Sequence, residues 1–168
     1  MQLRKPKLED KEKLKDYVEE HHVNGEMSIS ASNGMPTMNY EEWLEKLKTD
    51  ESGENKEWGI SETYILEDND KVIGMLNIRY TLSDEMAGIY GHIGYGVRPT
   101  ERKKGYATEM LKFALDVCKR KGIGKVIMGC YKDNIGSSKT IEKNGGIKIK
   151  EKDFNGKLAN YYEIDLGI

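Results

Sequence analysis

The sequence predicts a single domain of the α+β class spanning all 168 residues. Its centre is a mixed, mostly antiparallel sheet with one parallel strand pair, covered by helices on both faces. Three observations predict this. Segments with apolar residues at three- and four-residue steps, the mark of helices, are interleaved with short β-branched and aromatic runs, the mark of strands. A strand ending at Val97-Arg98-Pro99 is followed by a helix and then by a second strand, Lys125 to Tyr131. A strand–helix–strand unit of this size implies a parallel crossover. Elsewhere the strands are joined by tight turns, Asp68-Asn69-Asp70 and Asn155-Gly156, which make antiparallel hairpins.

In chain order, residues 2–8 make a short first strand that ends near Pro6. Leu8 to Tyr17 is a helix, with Asp10 near its start and Leu14, Tyr17 and Val18 as a narrow apolar stripe. His21 and His22 follow. Adjacent helical side chains point about 100° apart, so the pair is not expected to share a metal. Both are expected to be solvated near the helix's negative end. Residues 24–39 form a long loop rich in Ser, Asn and Gly, with three methionines; such loops within compact domains are functional or disordered. Tyr40 to Lys48 is a helix capped by Asn39, with Trp43, Leu44 and Leu47 inward. After a polar loop at 49–57, Thr63 to Leu66 and Lys71 to Tyr80 form a hairpin. A loop at 81–87 leads to the strand Gly88 to Val97.

Gly105 to Lys121 is the next helix, stopped by Gly122, and it feeds the strand 125–131. Asp133-Asn134 opens a short helix through Lys143, which Asn144-Gly145-Gly146 ends. Ile147 to Glu151 alternates strictly as a strand, and residues 157–166 are the last one.

Composition excludes several roles. Lys plus Arg number 27 against 29 Asp plus Glu, a net charge of −2, which is not the basic balance of a nucleic-acid binder. No stretch approaches the roughly 18–20 apolar residues of a membrane span. No secretory signal is visible at the start, so a cytoplasmic setting is expected. Cys118 and Cys130 lack metal-ligand spacing and are expected to be small buried hydrophobes. No metal is expected.

The chemistry concentrates between Gly91 and Leu115. A strand gives way to a basic cluster, Arg102, Lys103 and Lys104, then to Gly105-Tyr106-Ala107, and at once to a helix. The first turn of a helix carries free N–H groups that attract anions. Gly105 lets a ligand approach the backbone closely, and Ala107 adds only a methyl group. This arrangement suits a phosphate or pyrophosphate; a solvated basic loop before an ordinary helix is the plainer alternative.

Arg102-Lys103-Lys104-Gly105-Tyr106-Ala107 resembles the pyrophosphate signature Gln/Arg-x-x-Gly-x-Gly/Ala of the GNAT superfamily of acyl-CoA-dependent N-acetyltransferases. About thirty residues on, Asp133-Asn134, Ser137-Ser138 and Glu142-Lys143-Asn144-Gly145-Gly146 resemble a second block of that family. The order of elements fits over nearly the whole chain. The wording around the first motif is similar to a little-characterised bacterial branch of acetyltransferases.

The resemblance implies the GNAT fold, in which the parallel pair 92–97 and 125–131 is splayed and acetyl-CoA binds between the two strands. Backbone groups of Ile93, Tyr95 and Val97 would take the pantetheine amides, an augmentation of the strand edge. The N–H groups of Lys104, Gly105, Tyr106, Ala107 and Thr108 would take the pyrophosphate, with Arg102 and Lys103 adding charge. It also implies that Asn134 bonds the cofactor arm, although a helix cap serves its side chain equally well. Ser137, Lys139 and Lys143 are further candidates, the last for the 3′-phosphate, against a solvated reading. Two positions depart from the family pattern. Ile141 stands where many relatives place a tyrosine that acts as general acid, and Gly146 stands where they have an aromatic.

The implied reaction is direct attack of a primary amine of a small metabolite on the thioester. The amine, with a pKa near 10, must lose a proton first. A backbone N–H of the 92–97 strand would stabilise the oxyanion. His92 titrates in the range of a base. Strand alternation, however, places it opposite Ile93, Tyr95 and Val97, which favours a structural role. Tyr131 is the candidate acid in place of Ile141, or an ordinary strand-end aromatic. The 24–39 loop and the helix after it are expected to wall the acceptor site. Glu26, Asp84 and Glu85 are loop carboxylates suited to an ammonium group. A protein N-terminus or lysine as acceptor, and a non-catalytic acyl-CoA sensor, remain alternatives. A homodimer is common in the family.

Overall fold

The computed structural model describes residues 1–54, 59–82 and 90–168. Among these, seven strands and four α-helices alternate: β1 (Gln2–Arg4), α1 (Lys11–Val23), α2 (Tyr40–Ser52), β2 (Ser61–Asp68), β3 (Lys71–Arg79), β4 (Ile93–Val97), α3 (Tyr106–Arg120), β5 (Lys125–Tyr131), α4 (Ile135–Lys143), β6 (Ile147–Phe154) and β7 (Lys157–Asp165). The helices are longer than their apolar stripes alone suggest. After a 3-10 turn at Leu8–Asp10, α1 runs on to Val23 and takes in both histidines. The second helix begins where expected, because the Asn39 side-chain oxygen accepts the N–H groups of Glu41 and Glu42 at 3.0 and 3.2 Å. It ends only at Gly53, which takes the left-handed conformation.

The expected single mixed sheet is two antiparallel sheets, β1-β2-β3-β4 and β5-β7-β6. No ladder joins β4 to β5 among the described residues. They meet at one isolated bridge between Gly91 and Met128, antiparallel in kind. Gly91 has φ +67°, and a β-carbon there would lie 2.2 Å from the carbonyl oxygen of Ile127, so only glycine permits the approach. Beside the bridge, the His92 N–H donates to Ile127 O at 2.8 Å, and the Ile127 N–H donates to His92 Nδ1 at 3.0 Å. A side chain thus takes the backbone donor that a ladder carbonyl would take. The strand β4 consequently starts at Ile93 rather than earlier, and residues 88–89 lie outside the described part. Beyond this point the two strands part.

Apolar side chains fill both faces of the first sheet. Leu76 and Ile78 of β3, with Ile93 and Val97 of β4, pack under α3 through Met110, Leu111, Ala114 and Cys118. Val72 and Met75 of β3 face the other way, onto Leu14 and Tyr17 of α1 and Trp43 and Leu47 of α2. A register shift opposite Leu66/Glu67 leaves Ile73 unpaired and changes the phase of the alternation, and β3, buried on both faces, reads as one apolar run. The 24–39 loop is tied into the second core. Ile29 and Met35 are buried there, and the Trp43 indole donates to Ser32 O at 2.9 Å.

Candidate functional site

The turn between β4 and α3 is held at its base by Arg98, which is 1% exposed. Its Nε donates to Val72 O at 2.7 Å, and its Nη1 to Asp16 and Glu20 at 2.9 and 2.7 Å. Glu20 in turn accepts from the Thr100 N–H at 2.9 Å and hydroxyl at 2.8 Å. Above this base, Lys103 and Gly105 both take positive φ, 62° and 89°. The chain therefore bends sharply before α3. That helix starts without a side-chain cap. Its first internal acceptance is Glu109 N–H to Gly105 O at 3.2 Å, so the N–H groups of Tyr106, Ala107 and Thr108 have no helical acceptor. A β-carbon on Gly105 would meet nothing within 4 Å. The open cradle is a cavity of 360 Å3 lined by Met1, Lys104, Gly105, Tyr106, Thr108, Glu109 and Lys143.

The cations around this cradle are not equivalent. Lys104 pairs with Glu101 at 2.8 Å. Lys103 and Lys143 are exposed, with no ion-pair partner among the described residues. Arg102 is spoken for: its Nη1 and Nη2 donate to Glu26 at 2.6 and 2.7 Å, and its Nε donates to Val97 O at 3.0 Å. These hydrogen bonds from Arg102 hold the Glu26 carboxyl down to about 2. The Glu26 carboxylate also takes His21 Nδ1 at 2.8 Å. His21 is 2% exposed, against the expectation that it would be solvated. The helix extends past it, and Tyr17 packs on its ring at 4.6 Å. Glu26 is therefore committed to Arg102 and His21 rather than free for an ammonium group.

The ladder to β3 fixes which β4 backbone groups are free. Arg79 N–H donates to His92 O at 2.7 Å and Arg98 N–H to Ile73 O at 2.8 Å. By alternation the backbone groups of Ile93, Tyr95 and Val97 point to the opposite edge, into the splay. The Tyr95 side chain reaches towards α4, where its hydroxyl lies 3.0 Å from Ser137 Oγ, and burial pushes that phenol up to about 12. Nearby, Cys130 Sγ of β5 lies 3.4 Å from Ser138 Oγ. Asn134 caps α4, accepting the Ser137 N–H at 3.1 Å, which leaves its NH2 group for another partner. Ile141 is fully buried. A β-carbon on Gly146 would fall 2.4 Å from Ile141 Cγ2. The two departures from the family pattern are one packing unit, since the small residue makes room for the branched one.

Burial holds the His92 imidazole below its usual range, and the charge of Arg79 acts in the same direction. With Nδ1 accepting from Ile127, the ring is neutral and fastens the β4–β5 junction. The Tyr131 ring, 37% exposed, sits 6.3 Å from Phe154 and 4.6 Å from the Lys157 ammonium. Asp84 and Glu85 lie outside the described residues.

On the face of β4 away from α3, the sequence gives little warning of what the structure assembles. The Asn33 amide, from the long loop, donates to Thr63 Oγ1 at 2.7 Å. Asn77 donates to the same hydroxyl at 3.1 Å and accepts from Arg79 Nη1 at 2.9 Å. The Arg79 guanidinium lies against Gly94, 3.5 Å from where a β-carbon would be. An arginine ending an apolar strand reads as a solvated end, so nothing in the sequence marks it. Among the described residues no group of His, Cys, Asp and Glu is placed to hold a metal ion, and no helix is long and apolar enough to cross a membrane.

The fold has close counterparts among solved structures. An acetyltransferase of the GNAT family from Streptococcus pneumoniae superposes with a TM-score of 0.73 at 16% identity, over 99% of both chains. The structure of yncA from Salmonella typhimurium, with its cofactor acetyl-CoA, gives 0.67 at 16% identity, over 98% of this chain and 93% of its own. An acetyltransferase from the same organism that modifies the N-terminal serine of ribosomal protein L7/L12 gives 0.68 at 16% identity, over 98% and 94%. No curated protein matches by sequence. The family model of the acetyltransferase (GNAT) domain matches residues 1–147. The chain belongs to the GNAT family of acetyltransferases.

Proposed function

We propose that this protein transfers an acetyl group from acetyl-CoA to a primary amine of a small metabolite by direct attack in a ternary complex. One observation carries the reading: an uncapped helix start behind Gly105 stands at the end of a strand, β4, whose outer backbone groups, the Val97 carbonyl apart, have no ladder partner among the described residues. The residues present fit the donor. Tyr106, Ala107 and Thr108 offer N–H groups without a helical acceptor to the pyrophosphate, and Lys103 and Lys143 are cations without an ion-pair partner among the described residues. Ile93 and Tyr95 present backbone groups to the pantetheine arm, and Val97 its N–H, its carbonyl being held by Arg102. Bound there, acetyl-CoA supplies the activated acyl group.

The chain's own residues orient and exclude water. Ile141, Met110 and Val97 close the α3 side of the splay with apolar surface. The acceptor therefore enters from the opposite face, where the 24–39 loop contributes Asn33. A small acceptor is favoured because Ile29, Met35 and Trp43 pin that loop into the core instead of leaving a peptide groove. Tyr95 is a second candidate acid beside Tyr131, since its hydroxyl already reaches across the splay. His92 is neutral and engaged at the junction, which supports a structural role.

The test is a titration with CoA followed by release of CoA thiol from acetyl-CoA against a panel of amines. Turnover with small amines supports the reading. Turnover only with peptides would replace it with protein acetylation. CoA binding with no turnover against any acceptor would replace it with a sensor.

A further inference from the structure

Arg79 ends β3 with a charge that no carboxylate among the described residues neutralises. Its Nε donates to Gly91 O at 2.7 Å, its Nη1 to Asn77 Oδ1 at 2.9 Å and its Nη2 to Tyr90 O at 3.2 Å. All three acceptors are neutral. The guanidinium also lies 5.9 Å from the Tyr90 ring centroid. Three other arginines, Arg102 being exposed, each hold a carboxylate. Arg4 holds Asp10 and Glu67, Arg98 holds Asp16 and Glu20, and Arg102 holds Glu26. A charge withdrawn from water without a counter-charge is costly unless a partner arrives. Burial lowers the Arg79 pKa to about 10, which still leaves it a cation at neutral pH.

Its position gives that charge a use. A guanidinium has five N–H donors, so the three bonds above leave about two unspent. The fork lies against Gly94, in the middle of β4, the strand that offers backbone groups to the donor. Asn33, Thr63 and Asn77 form a polar wall beside it. Two spare donors on one rigid fork match the two oxygens of a planar carboxylate. A phosphate dianion would call for a second cation, and none of the groups that Arg79 bonds or touches among the described residues is one.

We propose that Arg79 anchors a carboxylate on the acceptor, so that the substrate is a primary amine bearing a nearby carboxylate, as in a free amino acid. The proposal rests on the transferase reading and names its substrate class.

Two arms test it. In the first, wild-type protein is given matched acceptors, amino acids and their carboxamides. The acids should be acetylated with kcat/KM about 10- to 100-fold higher, the worth of a charge-assisted hydrogen bond; equal rates would overturn the proposal while leaving the transferase intact. In the second, N-acetyl amino acids and their amides are titrated calorimetrically into CoA-saturated protein. This arm reads the anion site even if no amine turns over. The acid should bind more tightly in the wild type, and the preference should vanish in Arg79→Met and partly return in Arg79→Lys. Undiminished CoA affinity in both variants confirms that they fold. A preference that survives in folded Arg79→Met would overturn the proposal.

Discussion

Single residues set the electrostatics of the donor site. Gly105 is the clearest. Its φ of 89° and the empty space around it let a phosphate reach the helix start. Gly105→Glu should weaken CoA binding at least about 100-fold, because a carboxylate would face the pyrophosphate at several kcal/mol of like-charge cost. Any non-glycine residue there adds about 1–2 kcal/mol of left-handed strain, so the variant should still fold; calorimetry with CoA and a thermal melt read both. Unchanged CoA affinity would refute the cradle. Glu26 works in the opposite sense, neutralising Arg102. Its carboxyl is lowered from 4.5 to about 2 in the folded protein. The unfolded chain therefore takes up that proton first, and the stability Glu26 contributes is complete above about pH 5 and lost as pH falls towards 2. The stability gap between wild type and Glu26→Gln should accordingly shrink over that window in urea titrations, and a gap constant with pH would show that the ion pair contributes nothing.

At the scale of elements, the position of β4 depends on two fastenings. One is Arg98, which binds the end of the strand to α1. Glu20→Ala would leave Arg98 buried with the exposed Asp16 as its one carboxylate partner among the described residues. A loss of about 3 kcal/mol is expected, the low end for breaking a buried pair, measured by denaturant unfolding. The other is the Gly91–His92 junction with β5. Gly91→Ala places a methyl group 2.2 Å from Ile127 O. The junction must then open, and the variant should lose more than about 1 kcal/mol, beyond the ordinary glycine-to-alanine effect. If its melting temperature matched the wild type, the junction would not be what sets the splay. The sequence makes most elements legible because their signals are local: Asn39 caps α2, Gly122 follows α3, and Asn155-Gly156 turns between β6 and β7. Their ends were less legible. The first helix outruns its apolar stripe to Val23 because His21, polar by composition, is buried against Tyr17 and paired with Glu26.

Across the whole molecule, two antiparallel sheets share one bridge and then separate, and a ligand in the opening would touch both. CoA at about 100 times its Kd should therefore raise global stability by about 2.7 kcal/mol. It should also slow hydrogen exchange at Tyr95 and Val97, whose outward amides would gain a partner. Stabilisation without protection at these amides would place the ligand elsewhere. The sequence by itself determined the class of the fold, the order of its elements and the uncapped helix start behind Gly105, because each is written in neighbouring residues: periodicity, caps, and a glycine after a basic run. Tertiary structure alone decided that Arg102 is neutralised by Glu26, which precedes it by 76 residues. It also decided that Gly146 makes room for Ile141, and that Arg79 meets β4 with no carboxylate partner among the described residues. These depend on which distant segments packing brings together, and burial, which gives a charge its meaning, is a property of the folded whole.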